Sequence, residues 1–313
     1  MRDTIRIIIS LSFLISGSVN ALSYTSLDSC LASAVDCKNE TRQLLKNTAA
    51  GSRDWYMLMY YNLSARWDLD NLSLTRQELS GYADMTDAPD VFKIVVYTIY
   101  AKKLLSSGET EQGTEYAHLA RDLIMRSAEY APDPRRLAEL IILHNYLKDY
   151  DAASELADWA VRRTENIRNP DAKAPLHMAI AHVAFFMKDY DKALQFYGYV
   201  AEAHEHKNEP LQLSNAYSSL GVVYLHKEEY KQARYYLKQA GHALDQALGT
   251  YETGDKTYIR LRLAELDFIE DKKEAAIAAL AKIDPGKVHK HHMPLYRKLQ
   301  TQAGQSPPPM EMR

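Results

Sequence analysis

From residue 22 onward, apolar positions recur at the three-and-four spacing of amphipathic helices, and no stretch alternates in the strict period of a strand. The first region, 22–87, predicts helices over 40–48, 55–67 and 72–85, punctuated by Gly51-Ser52 and by the polar run 68–71. Its Trp55-Tyr56-Met57-Leu58-Met59-Tyr60-Tyr61 run suits either the buried contact of packed helices or an adaptable ligand surface. A new helix starts at Ala88-Pro89-Asp90 and stops at Ser106-Ser107-Gly108. Its partner over 111–130 carries the small residues Ala117 and Ala120. After Ala131-Pro132-Asp133-Pro134 the pattern becomes periodic. Lys148-Asp149-Tyr150-Asp151, Lys188-Asp189-Tyr190-Asp191 and Lys227-Glu228-Glu229-Tyr230 place tyrosines at steps of 190 − 150 = 40 and 230 − 190 = 40. A weaker copy, Glu270-Asp271-Lys272-Lys273-Glu274-Ala275, puts Lys272 in the tyrosine's place at a step of 272 − 230 = 42. Each copy reads as a polar turn between two helices, with Ala153, Ala193, Ala233 and Ala275 as the small residue that lets the pair approach. The turn Asp284-Pro285-Gly286 precedes a final helix over 294–303, expected to cover the open end of the last hairpin.

The stretch 217–240 is the best-formed copy. Tyr217, Leu220, Gly221 and Tyr224 on one helix, then Ala233, Leu237 and Ala240 on the next, follow the aromatic, Leu-Gly, Tyr, Ala, large, Ala order of the tetratricopeptide repeat, and the chain resembles that family. The resemblance implies an all-α fold: a right-handed superhelix of helical hairpins over 88–303, after an irregular helical region. The repeat of 40 exceeds the family's usual period of about 34, and the surplus falls at 161–175 and 201–213. Longer helices or longer connections would absorb it. HEAT and armadillo arrays share such a period, but the residue order favours the tetratricopeptide reading.

Composition changes this picture only at the ends. Apolar residues at 46% and charged residues at 25% are ordinary for a folded chain. Residues 1–21 have the form of an export leader: Arg2 and Arg6, then an apolar core over 7–15, then Val19-Asn20-Ala21 before a cut. Removing its net +1 takes the formal charge from −3 to −4, which argues against nucleic acid or an anionic membrane as partner. A soluble periplasmic or secreted protein is the expectation, an uncleaved anchor the alternative. The two cysteines, Cys30 and Cys37, are expected to bond to each other across a turn, with Asp36 capping the helix that follows. Asn39, Asn62 and Asn71 match the glycan acceptor triplet, which occurs often by chance. Residues 304–313, with Pro307-Pro308-Pro309, are expected to be a disordered tail or a polyproline ligand.

No serine elbow, phosphate loop, zinc-helix motif or dinucleotide fingerprint is present, so neither an enzyme nor a cofactor is expected. His289, His291 and His292 could ligate a metal but read more simply as a solvated basic turn. What remains is recognition. The resemblance implies that first helices line a groove, and counting from the shared turn gives Asn145, Tyr146, Met178, His182, Phe185, Phe186, Asn215, Ser218, Val222, His226, Arg260, Asp267 and Phe268. Phe185-Phe186 suits either an anchor site for a peptide or helix, or the core between hairpins. The family's lysine-asparagine carboxylate clamp is not visible. The function so implied is a non-enzymatic adaptor for a protein of the cell envelope or a secretion system. A ligand sensor acting on a separate membrane protein is the second reading.

Overall fold

The computed structural model describes residues 30, 34–70, 73–248, 254–289 and 291–305, so the leader, Asn71 and the tail from 306 lie outside the described residues. Every described element is helical: α1 (Ala34–Leu45), α2 (Arg53–Asp70), α3 (Arg76–Ala83), α4 (Asp90–Ser106), α5 (Thr110–Tyr130), α6 (Pro134–Tyr146), α7 (Tyr150–Arg163), α8 (Pro170–Phe186), α9 (Tyr190–His206), α10 (Pro210–His226), α11 (Tyr230–Leu248), α12 (Gly254–Ile269), α13 (Lys273–Leu280) and α14 (Met293–Gln302), with a 3-10 turn at Pro285–Lys287. Two compact units divide the chain, residues 1–78 with 87–92, and residues 79–86 with 93–313.

In the first unit α1 packs on α2. Leu58 and Met59 of the aromatic run are buried, and Trp55 and Tyr56 close on Phe92 with ring centroids 5.9 and 5.0 Å away. The run is therefore packing. Asn62 is buried too, its amide donating to Thr41 Oγ1 at 3.0 Å, so this glycan triplet is internal. Cys30 and Cys37 are joined by a disulfide. The helix already runs at Ala34, which puts Asp36 in its first turn, not at the cap. There its charge still complements the unpaired N–H groups.

In the second unit, hairpins α4–α5, α6–α7, α8–α9, α10–α11 and α12–α13 share one turn. The first helix ends, the second residue beyond it takes a left-handed conformation, and the chain re-enters a helix two residues later. Gly108, Lys148, Lys188, Glu228 and Asp271 are those residues, with φ of 84°, 59°, 61°, 61° and 59°. The turn closes two hydrogen bonds that satisfy the last carbonyls, for example Asp189 N to Ala184 O at 2.8 Å and Lys188 N to Phe185 O at 3.0 Å. Asp149 and Asp189 then cap the second helix by accepting from the amides of Ala152 and Lys192. The same turn, with Asn208 at φ 55°, also links α9 to α10. With α8, α9 and α10 each 17 residues long, two helices and two three-residue turns make up the period of 40. Longer helices thus absorb the surplus there, whereas the shorter α7, of 14 residues, is followed by an irregular 164–169 connection.

The turn also corrects the last copy. Ala153, Ala193 and Ala233 donate to the carbonyl of the residue four before, at the turn's end, and in the last hairpin Ala276 donates to Lys272 O in the same way. Lys273, not Lys272, therefore stands in the tyrosine's place. Ala276 is fully buried and Ala275 exposed. In the first hairpin Gly113 holds this position, and an added Cβ would lie 2.8 Å from Leu105 Cγ. α14 closes the array as expected, burying Tyr296 and Leu299 against Leu261, Leu280 and Ile283.

Candidate partner-binding groove

Counting back from the left-handed residue aligns the first helices. Seven positions before it stand Ala101, Ile141, Ala181, Gly221 and Ala264, all buried. Two positions before it stand Ser106, Tyr146, Phe186, His226 and Ile269, all exposed. Phe186 is 53%, Ile269 45% and Tyr146 39% open. One column builds the stack; the other presents large side chains to solvent.

The recurring tyrosines join these columns. Tyr150 stacks on Phe186 of the next hairpin at 5.1 Å, and Tyr190 sits 6.0 Å from His226 of the hairpin after that. His226 also meets Phe185 edge-on at 5.1 Å. Tyr150 and Tyr190, at the starts of α7 and α9, therefore each pack against the neighbouring hairpin. Ion pairs repeat at similar separation: Lys192 to Asp158 at 2.7 Å, Lys227 to Asp191 at 2.6 Å and Lys207 to Asp171 at 3.4 Å. Such solvent-exposed pairs add little to stability, and their main effect is on register.

The sequence-derived groove residues separate into three groups. Tyr146, Phe186, Asn215 and His226 are exposed, and Asn145, Met178, His182, Phe185 and Ser218 are half-buried on the same helices. Val222 is buried. Phe185 packs on the core of α8, α9 and α10 while Phe186 points outward, so the pair divides between the two roles. Burial holds His182, set edge-on to Tyr197 at 5.5 Å, below the ordinary histidine pKa. In the last hairpin the step is 271 − 228 = 43, so the counterparts of Asn215, Ser218, Val222 and His226 are Tyr258, Leu261, Glu265 and Ile269. Arg260 and Asp267 are thus out of register. Asp267 faces α11 and pairs with Arg234 at 2.7 Å, and Phe268 packs on the cluster under α14.

Sequence reasoning missed the polar cluster at this end. Arg262 lies with its guanidinium carbon 5.2 Å from the Tyr258 ring centre, donates from Nε to Tyr258 Oη at 3.1 Å, and donates from Nη1 to Glu265 Oε2 at 2.8 Å. Lys298 of α14 donates to the other oxygen of Glu265 at 3.1 Å. His292 stacks on the opposite partner of this group, the Tyr258 ring, at 4.1 Å. His289 and His291 lie 5.0 Å apart, but among the described residues no three His, Cys, Asp or Glu side chains are grouped to hold a metal. A one-residue alignment error hid Tyr258 and Glu265, and Lys298 reaches the cluster only because α14 folds back.

No protein-family model and no curated protein matches the chain in sequence. Solved structures do match. A Rap protein complexed with competence and sporulation factor superposes with TM-score 0.61 at 13% identity, over 90% of this chain and 75% of that one. The chain has the tetratricopeptide-repeat fold. A tetratricopeptide repeat protein from Parabacteroides merdae gives TM-score 0.53 at 13% identity, over 88% of this chain and 96% of that one. A signal-transduction ATPase with a tetratricopeptide repeat sensor from Pyrococcus horikoshii gives 0.62 at 12% identity, over 87% of this chain and 42% of that one. The helical hairpins of this chain thus stack as tetratricopeptide repeats do. No helix among the described residues is long and apolar enough to cross a membrane.

Proposed function

We propose that the chain is an exported, non-enzymatic scaffold that binds a peptide or helix of a cell-envelope or secretion partner along the first helices of its repeats. The observation that carries the reading is the exposed column Tyr146, Phe186, His226 and Ile269, where consecutive hairpins present large side chains at one register. Rigid rings on rigid helices bind at low entropic cost, and clusters of them are where binding energy concentrates. The leader over 1–21 and the Cys30–Cys37 disulfide support an oxidising, exported setting. The Rap protein complexed with a factor supports a binding role for the fold.

Crosslinking in the native host followed by purification tests it. The wild-type chain is expected to retain a defined partner that the Tyr146→Ala, Phe186→Ala double variant loses while its melting temperature changes little. Identical partners from both proteins would refute the groove. A second reading, a ligand sensor acting on a separate membrane protein, draws on the Pyrococcus relative that carries its repeats as a sensor. A melting shift with small metabolites and none with peptides would favour it.

A further inference from the structure

The end cap carries no acid of its own. From Pro285 to Gln305 the sequence holds Lys287, Lys290, Arg297 and Lys298 with His289, His291 and His292, and neither Asp nor Glu. His289 and His291 are exposed, with ring centres 5.0 Å apart, and His289 lies 6.0 Å from His292. His292 is half-buried and stands immediately before α14, at the cap position, where its side chain makes no capping bond. Its backbone carbonyl accepts the first bond of the helix, from Tyr296 N at 3.0 Å. Its ring stacks on Tyr258 of α12 at 4.1 Å, which ties the start of the cap to the hairpin beneath. Farther along α14 the hold is apolar, through Tyr296 and Leu299.

A neutral imidazole suits this place and a charged one does not. Positive charge at a helix N-terminus opposes the helix dipole. The groups that act on His292 are Tyr258, Arg262 and Asp255 of α12, and His289 and His291 of the preceding turn. Arg262 already lies 5.2 Å from the Tyr258 ring centre, so that ring has less attraction left for a second cation. The carboxylate farther along α12, Glu265, is shared by Arg262 and Lys298. Burial first, then His289, Arg262 and His291, hold His292 below the ordinary histidine range against the opposing pull of Asp255. We propose that His292 is an acid-sensitive latch: neutral, it holds the start of α14 on Tyr258; protonated, it is driven off by Arg262 and the neighbouring histidines, and the cap detaches, uncovering Leu261, Leu280 and Ile283. The sign follows from the resistance of the folded form to protonation: the latch contributes fully above about pH 6.5 and is lost as pH falls below it. The cap is closed at neutral pH and loosened in mild acid. This device does not depend on what the groove binds, so it stands or falls apart from the scaffold reading.

Hydrogen exchange of the full chain at about pH 7.5 and about pH 5.5, corrected for the intrinsic pH dependence of exchange, tests it helix by helix. The amides of α14 are expected to lose at least about tenfold in protection at the lower pH, the effect of one pKa unit of coupling, while those of α8 and α9 lose less. His292→Phe, which keeps a ring against Tyr258 without the charge, should hold α14 protected at both pH values. His292→Lys, charged at both, should leave α14 poorly protected at both. Equal protection of α14 at the two pH values in the wild-type chain, or an equal loss in His292→Phe, overturns the latch. So does a His292→Lys chain whose α14 is as protected as the wild type at neutral pH. A loss shared equally by α8 and α9 is global unfolding and overturns it as well.

Discussion

At the scale of single residues, the stack depends on where a side chain is missing. A Cβ on Gly221 would lie 2.7 Å from Leu237 Cγ and 3.2 Å from the Ala233 carbonyl oxygen, and the backbone cannot retreat without moving α11. Gly198 is also helical, with nothing within 4 Å of the same position. The two sites therefore respond in opposite senses to one substitution. Gly198→Ala should raise stability by about 1 kcal/mol through helix propensity alone. Gly221→Ala should lower it by about 1–3 kcal/mol, because overpacking outweighs the same gain. Chemical denaturation of both variants measures this, and a stabilised Gly221→Ala would show that α10 and α11 can separate without cost. Gly221 was legible because it stands inside a recognisable pattern. Ala276 was not, because two alanines are adjacent in Glu274-Ala275-Ala276 and only the hydrogen-bonded turn selects between them.

At the scale of helices, the hairpins were legible wherever polar turns and apolar faces alternate strongly, and the boundaries drifted where they do not. The expected 40–48 helix in fact spans Ala34–Leu45. The end cap was expected over 294–303 and lies at Met293–Gln302. Its function can be separated from that of the tail. Without α14, the side chains of Leu261, Leu280 and Ile283 lose their cover, and an exposed apolar hairpin end is a docking surface for another copy. A chain ending before α14 should self-associate in sedimentation velocity, whereas one ending at residue 305 should behave as the full chain does. A monomeric, stable protein lacking α14 would show that the cap is dispensable.

At the scale of the molecule, histidines run the length of the second unit. Burial first, and nearby positive charge second where present, holds His177, His182, His226 and His292 below their ordinary pKa, with His177 down to about 4. Burial likewise lowers His144, against the opposing effect of Asp149. For such a group the unfolded chain binds a proton near pH 6.5 and the folded chain does not until lower pH, so acid favours unfolding. The contribution is intact above about pH 6.5 and is lost as pH falls; for His177 the loss is complete once pH passes below about 4. Melting temperature should therefore decline as pH falls through that window, and His177→Gln should make the decline shallower. An unchanged slope would mean that His177 protonates freely in the folded state. The amino-acid sequence by itself determined the all-helical class, the hairpin unit and its period, since apolar spacing and turn chemistry are local and repeat. Which residues face outward at the last hairpin, and the meeting of Arg262, Glu265 and Lys298, were decided only by tertiary structure. A side chain's neighbours across a stack depend on helix length and turn register accumulated over the repeats, and one residue of slip rotates a helical position by about 100°.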